Sequence, residues 1–134
     1  MSEVIEVQLS RIVIQEKEEQ QFIHLMEKDG HRTFPIVIGF NEAAEINRKL
    51  RNVESPRPMT HDLMTHIITT VGWSLERVII SDLRESTFFA TLELMSGEER
   101  KYVDCRPSDA IALAAQTRAR IFVARKVLDI VAQE

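Results

Sequence analysis

The stretch "QQFIHLMEKDGHRTFPIVIG", Gln20 to Gly39, decides the architecture. Two apolar runs flank "KDGH", and Asp29-Gly30 within it marks the turn of a hairpin. The reading is an antiparallel hairpin, which excludes a purely parallel α/β sheet. Pro35 has no amide hydrogen to give to a ladder, so its strand belongs at a sheet edge or at a bulge.

Upstream of the hairpin, Ile5, Val7 and Leu9 alternate with Glu6, Gln8 and Ser10, as in a strand with one buried face. The phase blurs through Ile12, Val13 and Ile14, which predicts a bulge, a bend or burial on both faces. Downstream, Gly39 closes the strand and Asn41 is the expected N-cap of the helix "EAAEINRKL", with Glu42 in its first turn. The loop "RNVESPRPM" follows, and Thr60 is expected to cap "HDLMTHIITTV", which Gly72 ends. "WSLERVIISDL" and "STFFATLELM" read as strands joined by the turn "RES", and Ser96-Gly97 turns the chain into "ERKYVDC". Ser108 is the expected cap of "DAIALAAQT", "RIFVA" reads as a strand and "RKVLDIVAQE" as a terminal helix. Residues 1–134 therefore describe a single α+β domain, an antiparallel-rich mixed sheet packed against several helices, with some parallel pairing across the helices.

The bulk properties agree with one ordinary domain: 134 residues, 44% hydrophobic and 28% charged. No apolar run approaches the ~18 residues of a membrane span. The start "MSEVIEVQLS" lacks the basic and apolar segments of a secretory signal, and the single cysteine, Cys105, fits a reducing compartment, so cytoplasm is the expected location. A net charge of −4 argues against a whole-surface nucleic-acid binder. Acid gathers in "EKEE" (Glu16 to Glu19) and base in "NRKLR" and "RARIFVARK", patterns that most simply describe solvated faces but leave room for a local basic groove.

Two segments carry candidate chemistry. In "SPRPMTHDLMTH", Ser55 to His66, Asp62 and His66 are four residues apart and share a helix face, whereas His61 lies round the helix from His66. An acid beside a histidine can hold the ring in one tautomer for general-base work, and the same groups can supply two metal ligands. The plainer alternative is that Asp62 complements the helix dipole and the histidines are surface residues. In "DCRPSDAIAL", Asp104 ends a strand, Asp109 begins a helix and Arg106 lies between them. Two carboxylates there can bind Mg²⁺ or Mn²⁺, or can clamp Arg106 in an ion-pair network, and the helix start can attract an anion. The "HD" dipeptide does not make an HD-type phosphohydrolase, because His24 and His31 sit in strand-like and turn-like sequence. Glu99 to Lys101 with Asp82 gives only a loose E-x-K pattern. Cys105 has no nearby histidine in sequence, and Trp73, Phe88 and Phe89 are expected to be core.

Five motifs in order resemble the bifunctional nuclease domain proteins of bacteria, archaea and plants: "FPIVIGFNEAAEI", "RPMTHDL", "VIISDLRESTFFATL", "VDCRPSDAIALA" and "IFVARKVL". The resemblance spans nearly the whole chain. Departures are confined to Phe34 in place of leucine, Ser86 at a usual turn glycine, and Arg120 in place of proline. It implies an α+β fold, nuclease activity on DNA and RNA, and the polar positions Glu42, Arg57, Thr60, His61, Asp62, Asp104, Arg106, Ser108 and Asp109.

The resulting expectation is a hydrolase that cuts phosphodiester bonds with little sequence preference. Asp62, Asp104 and Asp109 hold a divalent metal, Mg²⁺ or Mn²⁺, or orient the water. His61 or His66 moves the proton, and Arg57, Arg106 and Ser108 meet the phosphate, with Glu42 and Thr60 in support. The partners expected are DNA and RNA, no membrane, and a second copy in a homodimer. The competing readings are a non-catalytic dimeric regulatory module and a binder of small anionic ligands.

Overall fold

The chain order is β1 (Val4–Val13), β2 (Gln21–Glu27), β3 (Thr33–Ile38), α1 (Phe40–Leu50), α2 (Thr60–Thr70), β4 (Ser74–Arg84), β5 (Thr87–Ser96), β6 (Glu99–Cys105), α3 (Pro107–Thr117), β7 (Arg120–Ala124) and α4 (Arg125–Val131). The structure is a computed structural model and describes residues 3–15, 17, 20–53 and 56–132. Most of the acidic run at Glu16–Glu19, and Ser55 at the head of the second motif, lie outside the described residues. The strands form one seven-stranded sheet in the order β3-β2-β1-β7-β4-β5-β6. Among the described residues only β4 with β7 is parallel, and every other pairing is antiparallel.

The decisive hairpin forms in the register its sequence dictates, from Gln21 opposite Ile38 to Met26 opposite Thr33. Ile23 and Leu25 on β2 then share the buried face with Phe34, Ile36 and Ile38 on β3. Pro35 lies on β3, opposite His24, at one edge of the sheet, the position expected of a strand proline. In β1 the register slips between Leu9 and Arg11, so the blurred alternation after Ser10 is a bulge.

The helix α3 is the centre of the core. Ala110, Ile111, Ala112, Leu113 and Ala114 are all buried, a run with no solvent face. Its alanines let α1 and the sheet approach closely, while Ile111 and Leu113 each contribute about 1.5–3 kcal/mol of burial. Ala43 and Ile46 turn one stripe of α1 inward. By contrast α2 buries no residue completely and meets α3 partly through polar contacts such as Thr65 Oγ1 to Gln116 Oε1, 3.2 Å. None of the described helices is long and apolar enough to cross a membrane.

The helix starts differ from the expected ones. The N-caps are Gly39, Met59 and Arg106, not Asn41, Thr60 and Ser108. In each case a carboxylate at the third helical position, Glu42, Asp62 or Asp109, places negative charge in the first turn, at the positive end of the helix dipole. Asp62 Oδ2 accepts the Met59 backbone N–H at 2.9 Å. Glu42 folds back so closely over Gly39 that a β-carbon there would lie 2.5 Å from its carboxylate oxygen. Pro107 occupies the first position of α3, where no amide is needed.

Two aromatic expectations are also corrected. Phe88 packs beside Phe34 with ring centroids 6.1 Å apart, but Trp73 and Phe89 are only half-buried, with Lys101 and Arg84 over their faces.

Candidate functional site

Three helix starts converge in one row of charged groups. Asp109, on the first turn of α3, receives Arg106 as a planar fork, with Nε and Nη2 each 3.0 Å from a carboxylate oxygen. His61, on the first turn of α2, places Nε2 3.1 Å from Asp109 Oδ1. Arg106 Nη1 also reaches Glu42 Oε1 at 3.2 Å, which ties in the start of α1. The row His61–Asp109–Arg106–Glu42 therefore links α2, α3 and α1. Its inner members are shielded, His61 at 12% and Asp109 at 19% side-chain exposure, whereas Arg106 is 65% exposed. Burial works to raise the Asp109 pKa, but Arg106 and then His61 outweigh it and hold the carboxyl below its ordinary value. The same pairing with Asp109 raises the Arg106 pKa.

One residue after His61, Asp62 belongs to a separate network. Its carboxylate accepts the Lys49 ammonium and Gln116 Nε2, the latter at 3.0 Å, and lies 3.5 Å from Arg48. Arg48 also forks onto Glu45. This network lines a cleft of about 480 Å³ that includes His66 and the prolines Pro56 and Pro58. A second cleft, about 580 Å³, lies between β3, the β4–β5 turn and the start of α3, and is lined by Glu42, Arg106 and Ser108. Consecutive residues of α2 thus belong to two networks, Asp62 to the one lining the first cleft and His61 to the row whose Arg106 and Glu42 line the second.

The remaining expected site residues are not drawn into either network. Asp104 is exposed on β6 opposite Thr91 and makes no side-chain hydrogen bond or ion pair among the described residues. It is Glu42, not Asp104, that joins Asp109 in clamping Arg106. Arg57 and Thr60 are exposed at the loop and helix start, and His66 is exposed on the α2 surface. Ser108 is buried at the second position of α3 with its side chain on the second cleft.

The donor set does not fit a resident divalent cation. Among the described residues no group of three or more His, Cys, Asp or Glu side chains is gathered for a metal. Asp62 and Asp109 are committed to lysine, arginine and histidine, so the trio Asp62, Asp104 and Asp109 does not form one cage. The loose E-x-K pattern does not assemble either: Lys101 faces Glu99, and Asp82 faces Arg84 and Lys126. Cys105 is disfavoured as a nucleophile, since burial, with Asp109 and Asp104 nearby, pushes its thiol up to about 12.

Arg48, Lys49 and Gln116 belong to the Asp62 network, although sequence reading does not single them out. The signal for Gln116 is its spacing: it follows Asp109 by seven residues, two helical turns, and so faces α2 with it. Of the two basic segments, the first contributes Arg48 and Lys49 to the first cleft, where acids pair with them, and in the second Arg120, Arg125 and Lys126 pair with Glu6, Glu3 and Asp82.

Comparison with known proteins bears on this geometry. The family model described as "Bifunctional nuclease domain" matches residues 23–134. "Uncharacterized protein Rv1829" of Mycobacterium tuberculosis is 40% identical over 123 residues, 92% of this chain and 73% of that protein. "Bifunctional nuclease 1" of Oryza sativa subsp. japonica and "Bifunctional nuclease" of Oryza minuta are each 26% identical over 105 residues, 76% of this chain but 32% of theirs. With the match spanning the hairpin strands and all three helix starts, the chain belongs to the bifunctional nuclease domain family.

Proposed function

We propose that this chain hydrolyses phosphodiester bonds of DNA and RNA with little sequence preference, and that His61, Asp109 and Arg106 carry the reaction. The observation behind this reading is the fork of Arg106 on Asp109, which fixes the carboxylate 3.1 Å from His61. An anionic Asp109 accepts a proton-bearing Nε2, leaving Nδ1 as the basic nitrogen. Water adds to phosphorus as its proton passes to Nδ1, the bond from phosphorus to the departing sugar oxygen breaks, and that oxygen takes a proton from solvent. Arg106 meets the phosphate with its solvent-facing side, and Arg57 adds a second cation beside it. His66 and Ser108, in the two clefts, contact the flanking nucleotides. No step is routed through Mg²⁺ or Mn²⁺, because the acids that would hold either ion are engaged with cations.

The test is cleavage of labelled single- and double-stranded DNA and RNA by purified protein, with and without chelator, beside a folded His61→Gln variant. The wild type should cut both nucleic acids in chelator, and His61→Gln should lose about 10²–10⁴-fold in rate. Equal activity in the variant would overturn the assignment.

A second reading is supported by the neutralisation of every carboxylate in the row: a non-catalytic module that binds anions through Arg106 and Ser108. It predicts oligonucleotide binding without cleavage under any metal.

A further inference from the structure

The two edges of the sheet are unlike each other. The β3 edge contains Pro35, which blunts strand addition, whereas β6 contains no proline and has no outer strand neighbour among the described residues. Six of the seven β6 residues are exposed, so neither face of this strand is covered; Tyr102 is 61% and Val103 43% exposed. We propose that β6 pairs antiparallel with β6 of a second copy of this chain, with Tyr102 opposite the partner's Tyr102.

The register follows from symmetry. Directly opposed residues in an antiparallel ladder project from the same face, and a two-fold axis normal to the sheet preserves faces, so one residue must oppose its own copy. With Tyr102 at the axis, Arg100 meets the partner's Asp104 and Asp104 meets the partner's Arg100, two attractive pairs on one face. Moving the axis to Lys101 opposes two lysines, and moving it to Val103 opposes Arg100 to the partner's Arg106. Only the Tyr102 register is complementary among these three. Arg100 is already braced, because its Nη1 bonds Glu93 at 2.8 Å and Glu93 is held from the other side by Arg77 at 3.0 Å. Asp104, which has no side-chain partner among the described residues, gains one.

Sedimentation equilibrium of the full chain reads the dimer. Asp104→Lys replaces two attractive cross-strand pairs with two repulsive ones and should raise the dissociation constant roughly tenfold or more. A cross-link provides an independent readout of register in a Cys105→Ser background. Tyr102→Cys should form a disulfide-linked dimer under mild oxidation, and Lys101→Cys, which opposes the partner's Val103, should not. A chain that stays monomeric at all concentrations, a dimer indifferent to Asp104→Lys, or cross-linking at Lys101→Cys instead of Tyr102→Cys would overturn the proposal. Cleavage assays play no part in these readouts, so they stand or fall apart from the nuclease reading.

Discussion

Asp62→Asn separates a structural role from a catalytic one. Asp62 faces Lys49 and Arg48 in a shielded setting, where its own side chain is 14% and that of Lys49 10% exposed. Removing one partner of a buried charge pair costs about 3–5 kcal/mol, because the surviving charge is left uncompensated. Here Glu45 remains, 2.9 Å from Arg48 and 3.8 Å from Lys49. The asparagine also retains an oxygen for the Met59 amide, so the cost falls to about 2–3 kcal/mol. For a chain of this size each kcal/mol moves Tm by about 3–5 °C, so thermal unfolding should shift down by about 6–15 °C. Measured below that transition, activity per folded molecule should stay within about tenfold of wild type, since Asp62 lies outside the His61–Asp109–Arg106 row. An unchanged Tm with a loss of about 10²-fold or more would refute this reasoning and make Asp62 a catalytic acid.

Other outcomes follow from the same structure. Glu85 and Ser86 form the β4–β5 turn with φ of 50° and 63°. Ser86→Gly should therefore raise stability by about 0.5–1 kcal/mol in a chemical-denaturation curve, the relief of left-handed strain exceeding the added chain entropy. Leu113→Ala, at the middle of the buried α3 helix, should cost about 2–5 kcal/mol in the same measurement. Asp109 titrates below its ordinary value in the folded chain, and so does Glu27, whose main cause is the hydrogen bond from Arg32. A depressed carboxylate stabilises fully above its unfolded pKa and loses that contribution as pH falls through the lower folded value. Tm should accordingly hold down to about pH 4–5 and then drop, with a shallower drop in Asp109→Asn; identical slopes in the two proteins would contradict the Asp109 assignment.

Much of the fold was legible because it rests on short-range rules. Alternating apolar residues around Asp29-Gly30 set the first hairpin, and Pro35 marked its outer strand as an edge. The slip at Ser10 showed as a broken alternation. Helix starts lie one or two residues before the hydroxyls and asparagine that the sequence offers as caps, and the acids at the third helical position, Glu42, Asp62 and Asp109, complement the helix dipole there, with Asp62 also accepting the Met59 N–H. This also explains why an acid recurs after each Arg-Pro: both mark a helix entered from a loop or strand. The pairing of those acids was less legible. Asp62 and His61 are neighbours in the chain, yet a helix turns adjacent residues about 100° apart, so one faces Lys49 and the other Asp109. Asp104 and Asp109 are close in sequence but separated by the change from strand to helix, and only Asp109 joins the row. Spacing alone does not tell which of many cations a carboxylate will meet.

The most direct measurement of the central claim is steady-state cleavage of one oligonucleotide, prepared as DNA and as RNA, by His61→Gln and Arg106→Ala. His61→Gln should lower kcat by about 10²-fold or more with KM nearly unchanged, while Arg106→Ala should raise KM as well, on both nucleic acids. Wild-type kinetics in His61→Gln on either substrate would contradict it.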